Sequence, residues 1–177
     1  MIWNTIQNIF RIEELRQRIY FTLAILFVFR LGAHIPTPGI DGVALTAFFE
    51  AQQGSILRFF DMFTGGALAR LTVFALGVMP YISASIIMQL LTVVFPYLER
   101  LSKEGEAGRK KITIYTRYGT IVLSLVQAFG ISAGLESMAA PDGSPVVIST
   151  MNTWGFRGLT VITLTAGTAF LMWVGEQ

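Results

Sequence analysis

Long runs of apolar residues, separated by shorter polar segments, dominate the pattern along this chain of 177 residues. Four runs approach or exceed the roughly 20 apolar residues that cross a hydrocarbon core as a helix. The pattern places these spans at 19–35, 67–98, 118–135 and 153–175. The sequence therefore predicts an all-α integral membrane protein with four transmembrane helices.

A shorter apolar run at 55–66 precedes the second span. Its helical part, 55–64, would be about 15 Å long, which is half the thickness of the core, and it has almost no polar face. Gly65 and Gly66 follow and suit the left-handed end of a helix. We interpret the run as a re-entrant half-helix. An amphipathic helix on the outer surface is the alternative, which the missing polar face disfavours.

Polar segments divide the rest of the chain. Residues 1–18 form an amphipathic start, 36–54 and 136–152 are outer loops, 99–117 is a basic loop, and 176–177 is a short end. Because the chain stops directly after the fourth span, we expect it to be a truncated part of a longer protein.

The basic residues indicate how the chain crosses the membrane. Nine of them lie in segments 1–18 and 99–117, whereas the opposite side has Arg58, Arg70 and Arg157. Loops rich in lysine and arginine stay in the cytoplasm. The amino terminus and the basic loop are therefore predicted to be cytoplasmic.

Composition agrees with a membrane protein and limits the chemistry. Apolar residues make up 53% of the chain and charged residues 14%, against about 25% charged in an average soluble domain. The chain has no cysteine for a disulfide or a thiolate metal site. The spans contain no acidic residue that would join the single histidine, His34, in a metal site or a proton relay. We expect no metal, no cofactor and no catalytic group.

The second span carries residues that favour a pore. Val78 and Ile82 lie one helical turn apart on the same face, with Ser83 beside them. Pro80 predicts a bend in the helix. Aliphatic side chains beside a re-entrant helix are typical of a constriction that excludes water. Ordinary core packing of these aliphatic residues is the alternative.

Polar and small residues within the spans predict contacts between helices. Gln89 and Gln127 are amides that could each hydrogen-bond across a helix interface. In the fourth span a stripe of small and polar residues suits close helix contact, and it consists of Thr160, Thr163, Gly167 and Thr168.

Six runs have distinctive sequences: PTPG at 36–39, MFTGGAL at 62–68, ALGVMPYISASIIMQLL at 75–91, KEGEAGRKKI at 103–112, YTRYGT at 115–120 and GEQ at 175–177. These runs resemble the SecY family, the central subunits of bacterial protein translocases. The resemblance covers essentially the whole chain. It implies a ten-span channel of two inverted five-span halves, and this chain is similar to the amino-terminal half as far as the fourth span.

The resemblance also implies roles for individual residues. Val78 and Ile82 match the pore ring, where valine is slightly smaller than the isoleucine common in bacteria. Ser83, Gln89 and Gln127 match the lateral gate, through which hydrophobic segments leave. The plug that closes the outer funnel matches Ile56, Leu57, Phe59, Phe60, Met62 and Phe63 with Gly65 and Gly66, and cytoplasmic partner contacts match Lys103, Arg109, Lys110 and Lys111.

As a whole, the resemblance implies a channel in the bacterial cytoplasmic (inner) membrane that secretes unfolded polypeptides and inserts membrane proteins. It implies no enzymatic activity and no cofactor. The implied partners are SecE and SecG, the SecA ATPase or the ribosome, signal sequences and nascent polypeptides, membrane lipid, and the carboxy-terminal half of the same protein.

Other classes of membrane protein are less well supported by the residues. A secondary transporter also has broken helices, but its ion site normally needs carboxylates. A small-ion channel needs a ring of carbonyls or charges, for which Thr64, Gly65 and Gly66 are thin evidence. An intramembrane enzyme would need paired aspartates, a Ser–His arrangement or a zinc motif. Half of a transporter and a small-ion channel remain the alternatives.

Overall fold

The computed structural model describes residues 13–51, 59, 61–62, 65–139, 141, 143–148 and 152–176, and their regular structure is helical. The chain divides into two compact units, the first ending at Gly32 and the second beginning at Ala33. The helices are α1 (Glu13–Gly32), α2 (Gly42–Ala51), α3 (Met79–Val94), α4 (Pro96–Lys103), α5 (Glu106–Glu136) and α6 (Thr153–Gly175).

The first unit contains α1, which joins the end of the amphipathic start to the first predicted span in one helix. Glu13 and Glu14 lie in its first turn and Arg30 in its last, so the charges at both ends interact favourably with the helix dipole. The helix ends at Gly32, before the predicted end of the span at residue 35. Pro36 prevents continuation, because the residue before a proline is pushed out of the helical conformation.

Small residues line the buried face of α5 in the second unit. Their hydroxyl groups donate to carbonyls three or four residues earlier in the same helix, so burial leaves these donors satisfied. Small side chains also allow neighbouring helices to approach closely, and both α3 and α6 pack on α5. The row repeats every four residues: Thr116, Thr120, Ser124, Ala128 and Ser132.

The segment after α1 pairs with residues 71–73 through an isolated antiparallel bridge between Pro36 and Thr72. The amide of Thr37 donates to the carbonyl of Leu71 at 2.9 Å, and the amide of Val73 donates to the carbonyl of Ile35 at 3.1 Å. These bonds join two parts of the chain that are more than 30 residues apart. They satisfy backbone groups that would otherwise be buried without partners.

The outer loop predicted at 36–54 contains a helix, α2, which the sequence pattern did not predict. Asp41 caps its start: the Oδ1 atom accepts from the amides of Val43 and Ala44 at 2.9 and 3.2 Å. The amide of Asp41 donates to the carbonyl of Val146 at 2.9 Å, which ties the cap to the loop between α5 and α6.

The second predicted span is helical over only part of its length. The sequence predicts the second span at 67–98, but residues 65–78, here called the turn segment, form successive turns, and α3 begins at Met79. The expectation of one long helix is therefore wrong. Hydropathy does not register the positive φ angles inside the predicted span, which are those of Leu71 (39°) and Gly77 (56°).

The sharp bend in this region lies at Phe95, and the predicted bend at Pro80 is wrong. Pro80 is in the first turn of α3, where its missing N–H costs no helical hydrogen bond. Phe95 has φ of −98° and ψ of 115°, the extended backbone that the residue before Pro96 favours. As a result α3 and α4 meet at 101°.

The basic loop predicted at 99–117 is helical except for a tight turn at Glu104 and Gly105. Gly108 allows the turn to close, because an added Cβ would lie 1.7 Å from the carbonyl oxygen of Leu101. Helix α5 consequently starts well before the third span predicted at 118–135.

Among the described residues, α5 and α6 are long and apolar enough to cross a membrane, and the bent pair α3–α4 is a third candidate if it counts as one span. Helix α6 covers the residues predicted for the fourth span. Helix α1 is not among the candidates, because Arg16, Arg18 and Arg30 fall within its 20 residues. The structure thus supports two or three of the four predicted spans.

Helix α6 packs against the turn segment through a glycine. An added Cβ at Gly167 would lie 2.0 Å from the carbonyl oxygen of Val73. The rings of Phe74 and Phe170 stack beside this contact, with centroids 5.9 Å apart. Most of the small-residue stripe is buried, and its glycine meets the backbone of Val73 in the turn segment, whereas the sequence predicted contact with another helix. The buried members are Thr160, Gly167 and Thr168.

We expect Gly167→Ala to destabilise the protein by about 1–3 kcal/mol, because the added methyl group would displace the backbone at Val73. Gly158→Ala is the matched control, since nothing lies within 4 Å of its added Cβ on the same helix. The midpoint of thermal unfolding of the purified protein measures both effects. Equal midpoints for the two variants would contradict the close contact.

Candidate functional site

Helix α3 presents an aliphatic row on the side facing away from α5. Val78, Ile82 and Ile86, one turn apart, are 51%, 45% and 52% exposed. Pro80 and Ala84 are buried on the opposite side of the helix. The amide of Ile82 donates to the carbonyl of Val78 at 3.0 Å, so Val78 belongs to the first turn. A continuous exposed aliphatic row indicates contact with lipid, substrate or another protein segment.

The three predicted gate residues lie on two helices. Ser83 is half-buried at the flank of the aliphatic row, and Gln89 is exposed, with its Nε2 atom 3.4 Å from the Oγ atom of Ser85. Gln127 is half-buried on α5. Within the part of the chain that the structure describes, Ser83 and Gln127 share no hydrogen bond.

Gln127 lines a cleft of about 410 Å³ between α2, the turn segment and α5. Its amide is the one polar side chain of that lining. The apolar members come from all three elements and include Leu45, Phe49, Leu68, Leu76 and Ile131.

Only part of the predicted plug lies within the described residues. Phe59 and Met62 are helical and exposed. Gly65 and Gly66 both have positive φ, and the amide of Gly65 donates to the carbonyl of Met62 at 3.2 Å, a bond typical of a glycine helix stop. The predicted plug residues outside the described part are Ile56, Leu57, Phe60 and Phe63.

Asp61 fastens this helix end to the turn segment. Its Oδ1 atom accepts from the amide of Ala69 at 2.8 Å, and its carbonyl accepts from the amide of Gly66 at 3.0 Å. The prediction from sequence missed this role. The available signal was an aspartate, Asp61, shortly before the glycine turn at Gly66. Aspartate carboxylates commonly accept hydrogen bonds from the backbone amides of turns.

A bidentate ion pair joins the end of α5 to the start of α6. Arg157 donates from Nε to Oε1 of Glu136 at 2.9 Å and from Nη2 to Oε2 at 2.6 Å. Both side chains are partly buried. The guanidinium also lies 5.8 Å from the ring centroid of Phe129 and 5.4 Å from that of Trp154.

A second ion pair lies toward the other end of the same two helices. Arg117 on α5 pairs with Glu176, which directly follows α6 and has a largely buried side chain. Because the two pairs are far apart along the helices, together they oppose both sliding and splaying of α5 and α6. Neither pair was predicted from the sequence, since the partners are 21 and 59 residues apart.

The basic residues predicted for partner contact differ in their surroundings. The Nζ atom of Lys103 is 2.5 Å from Oε1 of Glu99, and its hydrogen bond and charge lower the pKa of the Glu99 carboxyl. The exposed positive charge near the start of α5 comes from Arg109, Lys110 and Lys111.

The structure defines a multi-pass helical membrane protein in which an aliphatic row starts at an irregular turn segment. The part of the chain described here contains no group of three histidine, cysteine or acidic residues that could hold a metal ion. A family model for SecY matches residues 72–177, more than half of the sequence. The chain belongs to the SecY family.

Relatives from several bacteria carry the name Protein translocase subunit SecY. The Pseudomonas aeruginosa protein is 52% identical over 166 residues, which are 94% of this chain and 36% of the relative. The Escherichia coli K12 protein is 52% identical over 164 residues, 93% of this chain and 36% of the relative. The Aquifex aeolicus protein is 50% identical over 173 residues, 97% and 40% of the two chains. The chain thus spans little more than a third of the length of these relatives.

We expect Asp61→Ala to release the amide of Ala69. Losing a hydrogen bond to a charged acceptor costs about 1.5–3 kcal/mol, so exchange of this amide should accelerate roughly 10- to 150-fold. Hydrogen–deuterium exchange of the peptide containing Ala69 measures it. Asp61→Asn keeps an accepting oxygen and should exchange more slowly than Asp61→Ala; equal rates in the two variants would contradict the assigned bond.

Proposed function

We propose that this chain forms part of the pore of a protein-conducting channel in the bacterial cytoplasmic membrane, which secretes unfolded polypeptides and inserts membrane proteins. Membership of the SecY family supports the proposal. The observation that carries it is the exposed aliphatic row at the start of α3, next to the turn segment. In this proposal the chain is a passive conduit, and a partner supplies the energy of transport.

Val78 and Ile82 would form part of the pore ring. An aliphatic constriction blocks ions by excluding water, so it needs no charged gate. The turn segment supports this role, because its hydrogen bonds to Ile35 and Thr37 and its contact with Gly167 hold the first turn of α3 in place. The remainder of the ring would come from parts of the protein beyond this chain.

Residues 55–66 would form the plug that closes the pore from outside. The support is the apolar sequence of this run and the glycine stop that follows Met62. Asp61 would be the fixed end of the plug, since its bonds to Ala69 and Gly66 fasten it to the turn segment.

Ser83, Gln89 and Gln127 would contribute to the lateral gate. The exposed amide of Gln89 and the half-buried side chains of Ser83 and Gln127 give this part of the protein a mixed polarity. A surface of mixed polarity allows a hydrophobic segment to partition between the channel interior and lipid. The opposite wall of the gate would be supplied by spans outside this chain.

The basic start of α5 would face the cytoplasm, as the bias of positive charge favours. Arg109, Lys110 and Lys111 are exposed there and would contact the SecA ATPase or the ribosome. The complete channel would also contain SecE and SecG. Signal sequences and nascent polypeptides would be its substrates, and membrane lipid would receive the segments that leave laterally.

We expect Ile82→Asn, in the complete complex, to leak ions and to transport substrates with defective signal sequences. An amide at the constriction can hold water and weakens the closed state. A cost of about 1–3 kcal/mol for a poorly satisfied buried polar group would raise the open-to-closed ratio roughly 5- to 150-fold. Resting conductance in planar bilayers measures the effect.

Ile82→Leu is the matched control for this experiment, because it keeps the volume and the apolar character of the side chain. It should retain the resting conductance of the unmodified complex. If Ile82→Asn also stayed at that level, the assignment of Ile82 to the pore ring would be wrong.

We expect the double variant Ser83→Leu with Gln127→Leu to raise the hydrophobicity that a segment needs to enter lipid. A more apolar gate solvates the segment better inside the channel, so leaving for lipid gains less. Insertion of a graded series of test segments measures the threshold. The control, Ser83→Thr with Gln127→Asn, retains polarity and should keep the original threshold. If the double leucine variant had the same threshold as this control, the gate assignment would be wrong.

A further inference from the structure

The ion pair between Glu136 and Arg157 uses only one edge of the guanidinium group. The carboxylate accepts from Nε and Nη2 of Arg157. A guanidinium has five N–H donors in a planar fork, and a second edge, formed by Nη1 and the other N–H of Nη2, can also bind an oxyanion through two hydrogen bonds. Among the described residues, Nη1 has no hydrogen-bond partner.

This second edge of Arg157 reaches the molecular surface. The side chain of Arg157 is 25% exposed. Its Nη1 atom is not one of the buried nitrogen and oxygen atoms that lack a partner in the described part of the chain, so the atom is accessible. An accessible cationic edge with unused donors is a binding site for an anionic group.

Two aromatic rings border the guanidinium. Its central carbon lies 5.4 Å from the ring centroid of Trp154 and 5.8 Å from that of Phe129. Cation–π attraction to the rings helps to hold the orientation of the guanidinium. Both rings are themselves exposed, Trp154 by 71% and Phe129 by 49%. The surface at this point therefore combines one cationic edge with a bordering apolar area.

The position along the helices indicates which anionic group would meet this surface. Glu136 is the last residue of α5, and Arg157 lies in the second turn of α6. Both helices are long and apolar enough to cross a membrane, so the pair lies where two candidate spans end. Tryptophan is enriched at this level of a bilayer, between headgroups and hydrocarbon. The anionic groups at this level are lipid phosphates, with acyl chains directly beside them.

We propose that the second edge of Arg157 binds the phosphate of a membrane phospholipid, whose glycerol and acyl chains lie against Trp154 and Phe129. A phosphate accepts two parallel hydrogen bonds from such an edge. Glu136 orients the guanidinium and makes the pair neutral, so the ammonium group of a zwitterionic headgroup complements the charge that the phosphate adds. This lipid site does not depend on the proposed channel function.

Arg157→Lys tests the second edge, because lysine keeps the positive charge opposite Glu136 but lacks the planar fork. The complete complex is reconstituted in equal amounts of phosphatidylethanolamine and a phosphate-free glycosyl diacylglycerol with the same acyl chains. After transfer to detergent, native mass spectrometry counts the retained lipids. We expect Arg157→Lys to retain one molecule of phosphatidylethanolamine fewer than the unmodified complex. An equal count, or loss of the glycolipid in its place, would overturn the proposal.

Arg117→Lys is the matched control. Arg117 also joins α5 to the end of α6 by an ion pair, with Glu176, and its side chain is more exposed than that of Arg157. In the described part of the chain, no aromatic ring lies over its guanidinium. The control should retain as much phosphatidylethanolamine as the unmodified complex. A loss as large as that of Arg157→Lys would reflect weaker joining of the two helices, and the proposal would fail.

A structure of the complete complex in phosphatidylethanolamine nanodiscs tests the site directly. We expect density for a phosphate within hydrogen-bond distance of Nη1 of Arg157, continuing as acyl chain along Trp154. A carboxylate from another protein segment at this edge, or water alone, would overturn the proposal. This experiment also decides the question if Arg157→Lys fails to assemble.

Discussion

The position of α3, and with it the aliphatic row, depends on the close fit of the turn segment against α6. Gly167 leaves room for the carbonyl of Val73, where a Cβ would come within 2.0 Å. On its other side the turn segment is held by hydrogen bonds between Leu71 and Thr37 and between Val73 and Ile35. A chain segment without regular structure thereby receives cover and bonding partners from both directions, which irregular backbone at membrane depth requires.

The helices around the turn segment are joined by contacts that do not rely on the hydrophobic effect. Lipid is as apolar as leucine, so helices in a membrane associate through close packing and polar contacts. The row of small residues on α5 supplies the packing, and its hydroxyls remain satisfied within their own helix. The ion pairs Glu136–Arg157 and Arg117–Glu176 add polar contacts toward both ends of α5 and α6. Each of these features favours one arrangement of the two helices.

The two sides of α3 have different requirements, which explains its composition. Pro80 and Ala84 face the packed side and are small or conformationally fixed, whereas Val78 and Ile82 face outward and are branched and apolar. In the proposed channel, a constriction built from the outward side would stay dry while the packed side remained rigid.

The sequence by itself determined the helical membrane class, the family, the fourth span and the glycine helix stop at Gly65, because hydropathy and glycine conformation are local properties. Only the tertiary structure decided that α3 begins at Met79 and that the bend falls at Phe95. A hydropathy window averages over about 20 residues and ignores hydrogen bonds. Two of the hydrogen bonds that hold the turn segment join residues more than 30 positions apart, so they become visible only when the chain is folded.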